Sequence, residues 1–417
     1  MSQDAIAGAP DQAAASAAFW KNNLRDYGLL GSLLVVMAFF YFLTGGVLLE
    51  PVNITNLILQ NSYVVIMALG MLLVIVGGNI DLSVGSIVGF VGAIAATLMV
   101  GFHLPLLDVD VKIPWELVIP FALALGGAIG AAQGYFVAYS KIPAFIVTLA
   151  GMLIFRGLTG NMLLGQFVGP FDRGFQAISA GFIPDFRDFG IILPAPNGEG
   201  RFFWLTMLIG VVGAALMVGL GARRWLRDRA QSMDIEPFPL FIGKNAIFGA
   251  LILYFSYRLA ENKGLPNVLV IMGALIIAYT FVTTRTTIGR RIYALGGNRL
   301  AAQLSGIRTD RLTFLTFVNM GALAGLAGLI VAARLNSATP SAGNAFELDV
   351  IAACFIGGVS ASGGVGKVMG VVIGAFFMGV MNNGMSIYGI GIFWQQVVKG
   401  VVLLAAVFVD VYQKNKG

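Results

Sequence analysis

Charge is scarce in this chain. Only 11% of its 417 residues are Asp, Glu, Lys or Arg, while 58% are hydrophobic, and the mean hydropathy is +0.86. A soluble domain carries about 25% charge, so the composition excludes a soluble enzyme or binding module. Cys354 is the only cysteine, which rules out an intrachain disulfide and a cysteine zinc cluster. His103 is the only histidine, near Pro105 at the end of an apolar run, and reads as an interfacial residue. A histidine-rich metal site and a Ser-His-Asp triad therefore have no support. Residues 1–27 are polar or alanine-rich and lack the basic, apolar and small-residue regions of a cleavable signal peptide.

A phosphate loop is also missing. GGVSASGGVGKV at Gly357–Val368 approaches one, but the first required glycine falls on Ala361 and Val368 replaces the Ser or Thr. The chain has no evident nucleotide site, no metal site and no catalytic group, so any ATP is handled by a partner.

What is present is a series of apolar runs of roughly 20 residues, the length that crosses a bilayer as a helix. They are Gly28–Leu48, Ile54–Val76, Leu82–Gly101, Trp115–Tyr139, Ala144–Gly165, Phe202–Gly221, Ala246–Leu259, Leu265–Thr283, Leu312–Ala333, Leu348–Gly358, Val368–Tyr388 and Phe393–Val411. Backbone groups in lipid must be satisfied internally, and a β-barrel would show short alternating segments instead. The expected class is all-α, a polytopic transmembrane helical bundle of about 10–12 spans, some glycine-interrupted and re-entrant. The 55 glycines suit closely approaching helices.

The net charge of +6 suggests nucleic acid until its placement is considered. With the N-terminus in the cytoplasm, most Lys and Arg fall in cytoplasmic segments, as the positive-inside rule requires. Residues 1–27 and 412–417 are then cytoplasmic, as are a basic loop at 222–245 and a loop at 284–311. A long connection at 166–201 lies outside, and 28–411 form one transmembrane domain. Nucleic acid is excluded as a partner, and membrane lipid is implied.

The 284–311 loop, TRTTIGRRIYALGGNRLAAQLSGIRTDR, is the most distinctive polar stretch. Its six arginines could serve orientation alone. They do not explain a short helix between two glycine breaks, Gly296/Gly297 and Gly306. Asn298 can cap its start, and Leu300, Ala301 and Leu304 give it an apolar stripe. Gly296, Gly297, Asn298, Ala301, Ala302, Leu304, Ser305 and Gly306 are thus expected to form a docking element for another protein.

Within the spans, GGNIDLSVGS at Gly77–Ser86 places a carboxylate between two apolar runs, which is costly unless it is paired or wet. Asp81 can cap the helix that begins near Leu82 and nothing more. Alternatively, Asn79, Asp81 and Ser83 share one side of a non-helical segment and present donors and acceptors to a neutral polyol. Asn53, Asn56 and Gln60 lie on one face of the second span and either line a polar path or form an interfacial turn. Arg156 can neutralise an acid such as Asp81, bind a carbonyl or snorkel. Asn344 and Glu347 have capping-box spacing, with Asp349 adding charge at the helix start; the functional alternative is an outer gate or a contact with an extracytoplasmic partner. Ile75–Gly89 resembles Phe355–Gly370, and both are glycine-interrupted segments of the kind that build transport sites.

GGNIDLSVGS, KIPAFIVTLAGMLIFRGL, the 284–311 loop, SAGNAFELDVIAACFIGG and NNGMSIYGIGIFWQQVVKG together resemble the monosaccharide permeases of bacterial ABC importers, of the ribose, galactose and xylose type. The likeness covers about residues 28–410 and is nearest to the xylose branch. It implies a permease homodimer in the inner membrane, working by alternating access. It implies a cytoplasmic ABC ATPase, with two fused cassettes using ATP and Mg, docked on Asn298–Gly306. It also implies a periplasmic sugar-binding protein. The loop only partly echoes the Glu-Ala-Ala pattern of other importers. A proton-coupled secondary sugar transporter using Asp81, and a channel or scaffold, are the readings that compete with this one.

Overall fold

The computed structural model describes residues 12–104, 109–196, 201–230 and 238–416. Fifteen α-helices run through them: α1 (Gln12–Leu43), α2 (Pro51–Val76), α3 (Val84–Val100), α4 (Trp115–Ala138), α5 (Ala144–Leu163), α6 (Arg173–Ala180), α7 (Trp204–Ala230), α8 (Phe238–Ala260), α9 (Asn267–Arg285), α10 (Thr287–Gly297), α11 (Arg299–Leu304), α12 (Thr309–Leu335), α13 (Phe346–Ile356), α14 (Val368–Ile387) and α15 (Ile392–Lys416). The one departure from an all-α chain among the described residues is a small antiparallel hairpin, β1 (Phe102–Leu104) against β2 (Val109–Val111). Eight helices are long and apolar enough to cross a membrane, and Gly28–Leu43 and Val84–Val100 are shorter apolar helices.

Boundaries differ from the expectation in several places. The chain is helical from Gln12, not from Gly28, because alanine-rich sequence favours helix. Helix α7 runs on through Arg223, Arg224, Arg227 and Arg229, since no Gly or Pro follows Gly221 before Ala230; residues 231–237 of the expected basic loop lie outside the described residues. The 166–201 connection contains α6 and a 3-10 turn, Phe186–Phe189; its residues 197–200 also lie outside.

The chain divides into two compact units. The first comprises the described residues within 12–31, 50–55 and 183–265. It is built on the α7–α8 hairpin, with Phe202, Phe203 and Ala260 buried under Trp204, Met207 and Tyr257. Asp185 Oδ1 accepts from the Leu205 N–H at 2.9 Å, and the Asp185 N–H donates to Asp188 Oδ2 at 2.8 Å. Arg201 pairs with Asp188 at 3.1 Å.

The second unit comprises residues 32–49, 56–182 and 266–417, and α12 is its centre. Helix α12 packs closely on α4, where any Cβ on Gly126, Gly130 or Gly321 would overlap backbone of the facing helix. Small residues allow this approach, and dispersion contacts rather than a hydrophobic driving force then hold the helices. Helix α13 is a half-length helix. It follows a non-helical descent, residues 336–345, whose Gly343 lies in the left-handed region at φ 77° against the Gly85 carbonyl.

The segment likeness seen in sequence has a backbone counterpart. Gly77 and Gly357 close the last turns of α2 and α13 on Leu73 O and Ala353 O, at 3.0 and 2.9 Å. Gly78 and Gly358 follow at φ 83° and 80°. The N–H groups of Asn79 and Val359 then donate back to Val74 O and Cys354 O, both at 3.0 Å. Both helices end in the same glycine-dependent cap.

Candidate functional site

The polar groups of the second unit fall into an interior cluster and a polar arm that follows α9. In the interior, Asp81 is 1% exposed and Ser83 0%. Asp81 Oδ1 accepts from the Ser83 N–H at 2.8 Å and from Ser83 Oγ at 2.6 Å, while Oδ2 is buried without a partner. Helix α3 therefore starts at Val84, two residues later than expected, with Ser83 rather than Asp81 at its N-cap. Ser83 Oγ and the Gln133 side chain exchange contacts at 2.9 and 3.1 Å. Gly151 of α5 leaves the room Gln133 occupies, since a Cβ there would strike Gln133 Nε2. Gln133 and Gly151 were missed in sequence; the only signal was a lone amide inside a span. Asn79 does not join Asp81 and Ser83. Its Nδ2 donates to Gly77 O at 3.3 Å, and it lies in a different cleft.

Arg156 faces Glu347, at 3.9 Å, rather than Asp81. Glu347 and Asp349 project from the first turn of α13 and are 6% and 2% exposed. The expected capping box does not form. The N-cap is Ala345, held at φ 62°, with no side-chain cap bond, and Asn344 alone of the three stays exposed. The non-helical backbone of residues 336–345 sets this start and takes precedence over the local motif. Asp349 is held by Lys399 Nζ at 3.0 Å and by Asn382 Nδ2 at 3.3 Å. A buried carboxylate is tolerable only with such partners. Asn56 is exposed, and Gln60, one turn further along α2, borders a cavity with Tyr63, Arg334 and Asn382.

The polar arm comprises α10 and α11, after α9. Thr286 Oγ1 accepts from the Gly289 N–H at 3.1 Å and caps α10, whose Ile292 and Leu295 are buried. Helix α10 runs through Gly296 to Gly297, so Gly296 is not a break. It is a point of close approach, where a Cβ would overlap Val76 O and the Gly364 nitrogen. Gly364 N–H also donates to Val76 O at 2.9 Å. Tyr293 Oη donates to Gly366 O at 2.8 Å.

Helix α11 forms as expected. Asn298 Oδ1 accepts from the Ala301 N–H at 2.9 Å, Ser305 Oγ donates to Ala301 O at 2.9 Å, and Gly306 ends the helix at φ 81°. Ala302 packs inward at 5% exposure, while Leu300 and Leu304 are 67% and 81% exposed. Asp310 receives Arg299 at 3.0 Å and Lys141 at 2.5 Å, which ties α11 to the start of α12 and to the α4–α5 turn. Asn79, Gln303 and these three residues border a cleft of about 450 Å³. Such an arm presents two large apolar side chains on a short, fastened helix.

Comparison with known proteins fits this geometry. A family profile described as "Branched-chain amino acid transport system / permease component" matches residues 53–407. The chain is 38% identical to the xylose transport system permease protein of Escherichia coli over 394 residues, covering 94% of this chain and 93% of that one. It is 39% identical to the Haemophilus influenzae xylose transport system permease protein, covering 94% and 98%. It is 34% identical to the ribose import permease protein of Escherichia coli, covering 86% and 85%. No solved structure matches. The apolar spans and this similarity along nearly the whole chain agree: it is a multi-pass membrane protein and belongs to the sugar ABC transporter permease family.

Proposed function

We propose that this chain is the transmembrane subunit of an ATP-driven importer that brings a monosaccharide, xylose or a related pentose, across the bacterial inner membrane. Two copies would line the pathway. A periplasmic sugar-binding protein would deliver the sugar, and a cytoplasmic ATPase with two fused cassettes, using ATP and Mg, would drive it. Both termini and the 284–311 loop would be cytoplasmic. The relatives named above support the sugar class, since their names specify xylose and ribose.

The observation that carries the ATPase reading is α11, with Leu300 and Leu304 exposed on a capped helix fixed by Arg299, Asp310 and Lys141. An exposed apolar pair on a rigid arm is the kind of feature a partner's groove takes up. ATP binding would close the partner's cassettes and draw the arms together, and the spans would rock between outward and inward states. Both the ATPase and the binding protein must favour one state over the other for this to work.

Leu304→Asp is expected to abolish co-purification of the ATPase while leaving the permease monodisperse; normal co-purification would count against docking. In proteoliposomes containing this chain alone, a proton gradient should drive no sugar uptake. Uptake there would sink the ATP-driven reading and favour a proton-coupled transporter working through Asp81.

A further inference from the structure

A cavity of about 230 Å³ in the second unit has no role in the docking arm or in the Asp81 cluster. Gln60, Tyr63, Arg334, Phe346 and Asn382 border it. Drug-sized ligands occupy about 300–1,000 Å³, so this volume suits a smaller molecule. The Tyr63 and Phe346 rings stack with centroids 3.9 Å apart and an interplanar angle of 19°, which makes a rigid aromatic wall.

The polar groups around that wall are set by their neighbours. Lys399 fixes Asp349, and Asp349 Oδ2 accepts from Asn382 Nδ2. A carboxylate only accepts, so the Asn382 amide must turn its nitrogen toward Asp349. Its Oδ1 is left buried and without a partner. Arg334 has no acidic partner among the described residues and supplies donors; Gln60 can donate and accept. The cavity thus offers a donor group at Arg334 and a group at Gln60 that can both donate and accept, beside an aromatic face, with Asn382 in its wall. Each sugar hydroxyl also donates and accepts.

We infer that this cavity is a binding site for a neutral monosaccharide within the permease itself. No acid borders the cavity to receive an ammonium group, so a polyol fits it better than a zwitterionic amino acid. The inference rests on the sugar-permease reading and goes further, because it gives the membrane subunit a part in sugar selection.

The test uses the full chain in lipid nanodiscs, without ATPase or binding protein. Saturation-transfer NMR is recorded with D-xylose, D-ribose and L-leucine, and xylose uptake is measured separately in the complete transporter. Saturation is expected to pass to a pentose and not to leucine. Gln60→Leu and Asn382→Leu are each expected to raise half-saturation by about tenfold, the effect of losing one well-placed hydrogen bond, with ATPase co-purification unchanged. Gln60 is exposed and bonds nothing in the core, so it carries the test if Asn382→Leu misfolds. Unchanged pentose signals in Gln60→Leu, no pentose signal, or a leucine signal instead would each overturn the site. If wild-type uptake persists in any of these cases, the importer reading stands without the site. A complete transporter that moves no sugar would overturn both.

Discussion

Asp81 uses one oxygen twice, on the Ser83 N–H and hydroxyl, and the other not at all. Asp81→Asn can keep both Ser83 contacts, with its amide nitrogen in place of Oδ2. Its thermal stability should therefore stay within about 1 kcal/mol of wild type, while uptake in the complete transporter should fall. Unchanged uptake would make Asp81 a structural cap only. Gly343 makes the opposite demand. It combines φ 77° with backbone contact to Gly85, so Gly343→Ala meets both left-handed strain and overlap. Together these should cost at least about 2 kcal/mol, read as a lowered unfolding temperature in detergent. At Asp188, the Asp185 N–H first, and then Arg201, hold the carboxyl below its ordinary 3.8. A lowered value stabilises above the unfolded pKa and is lost as pH falls through the folded one. Trp204 fluorescence should therefore not move between pH 7 and 5 on account of this group, and a transition there would contradict the assignment.

At the scale of elements, α15 shows how an ion pair can anchor a span. No residue of its apolar window is fully buried within the chain, yet Lys399 reaches Asp349 on α13. Lys399→Ala should destabilise by about 3–5 kcal/mol by leaving a buried carboxylate unpaired. Lys399→Leu with Asp349→Leu should recover most of that loss, measured by thermal unfolding. Helix α11 was legible in sequence because its cap, stripe and stop all lie between Asn298 and Gly306. The spans were legible because bilayer thickness fixes their length. The cap expected for α13 does not form, because the non-helical backbone before it, and not Asn344, sets its start. The Arg156–Glu347 pair and the Ser83–Gln133 contact join residues far apart in the chain, where no periodicity speaks. The acceptor at Asn382 was invisible for the same reason, since its orientation depends on Lys399 acting through Asp349.

At the scale of the molecule, the single cysteine makes orientation measurable. Cys354 is fully buried and should not react with a membrane-impermeant maleimide in the folded protein. Leu304→Cys should label in inverted vesicles only, and Arg187→Cys in right-side-out vesicles only. Labelling of Leu304→Cys from the outer side would reverse the topology and place α11 beyond reach of any cytoplasmic ATPase.

The contact of Gly296 with Val76 and Gly364 bears on how such an arm could work. Three stretches of main chain meet there with no side chain between them. Side chains can change rotamer and absorb a push; bare backbone cannot. The junction would therefore act as a fulcrum with little slack. A load on the far end of α10 and α11 would be felt at once by the end of α2 and by the turn that follows α13, the two glycine-capped ends that match each other.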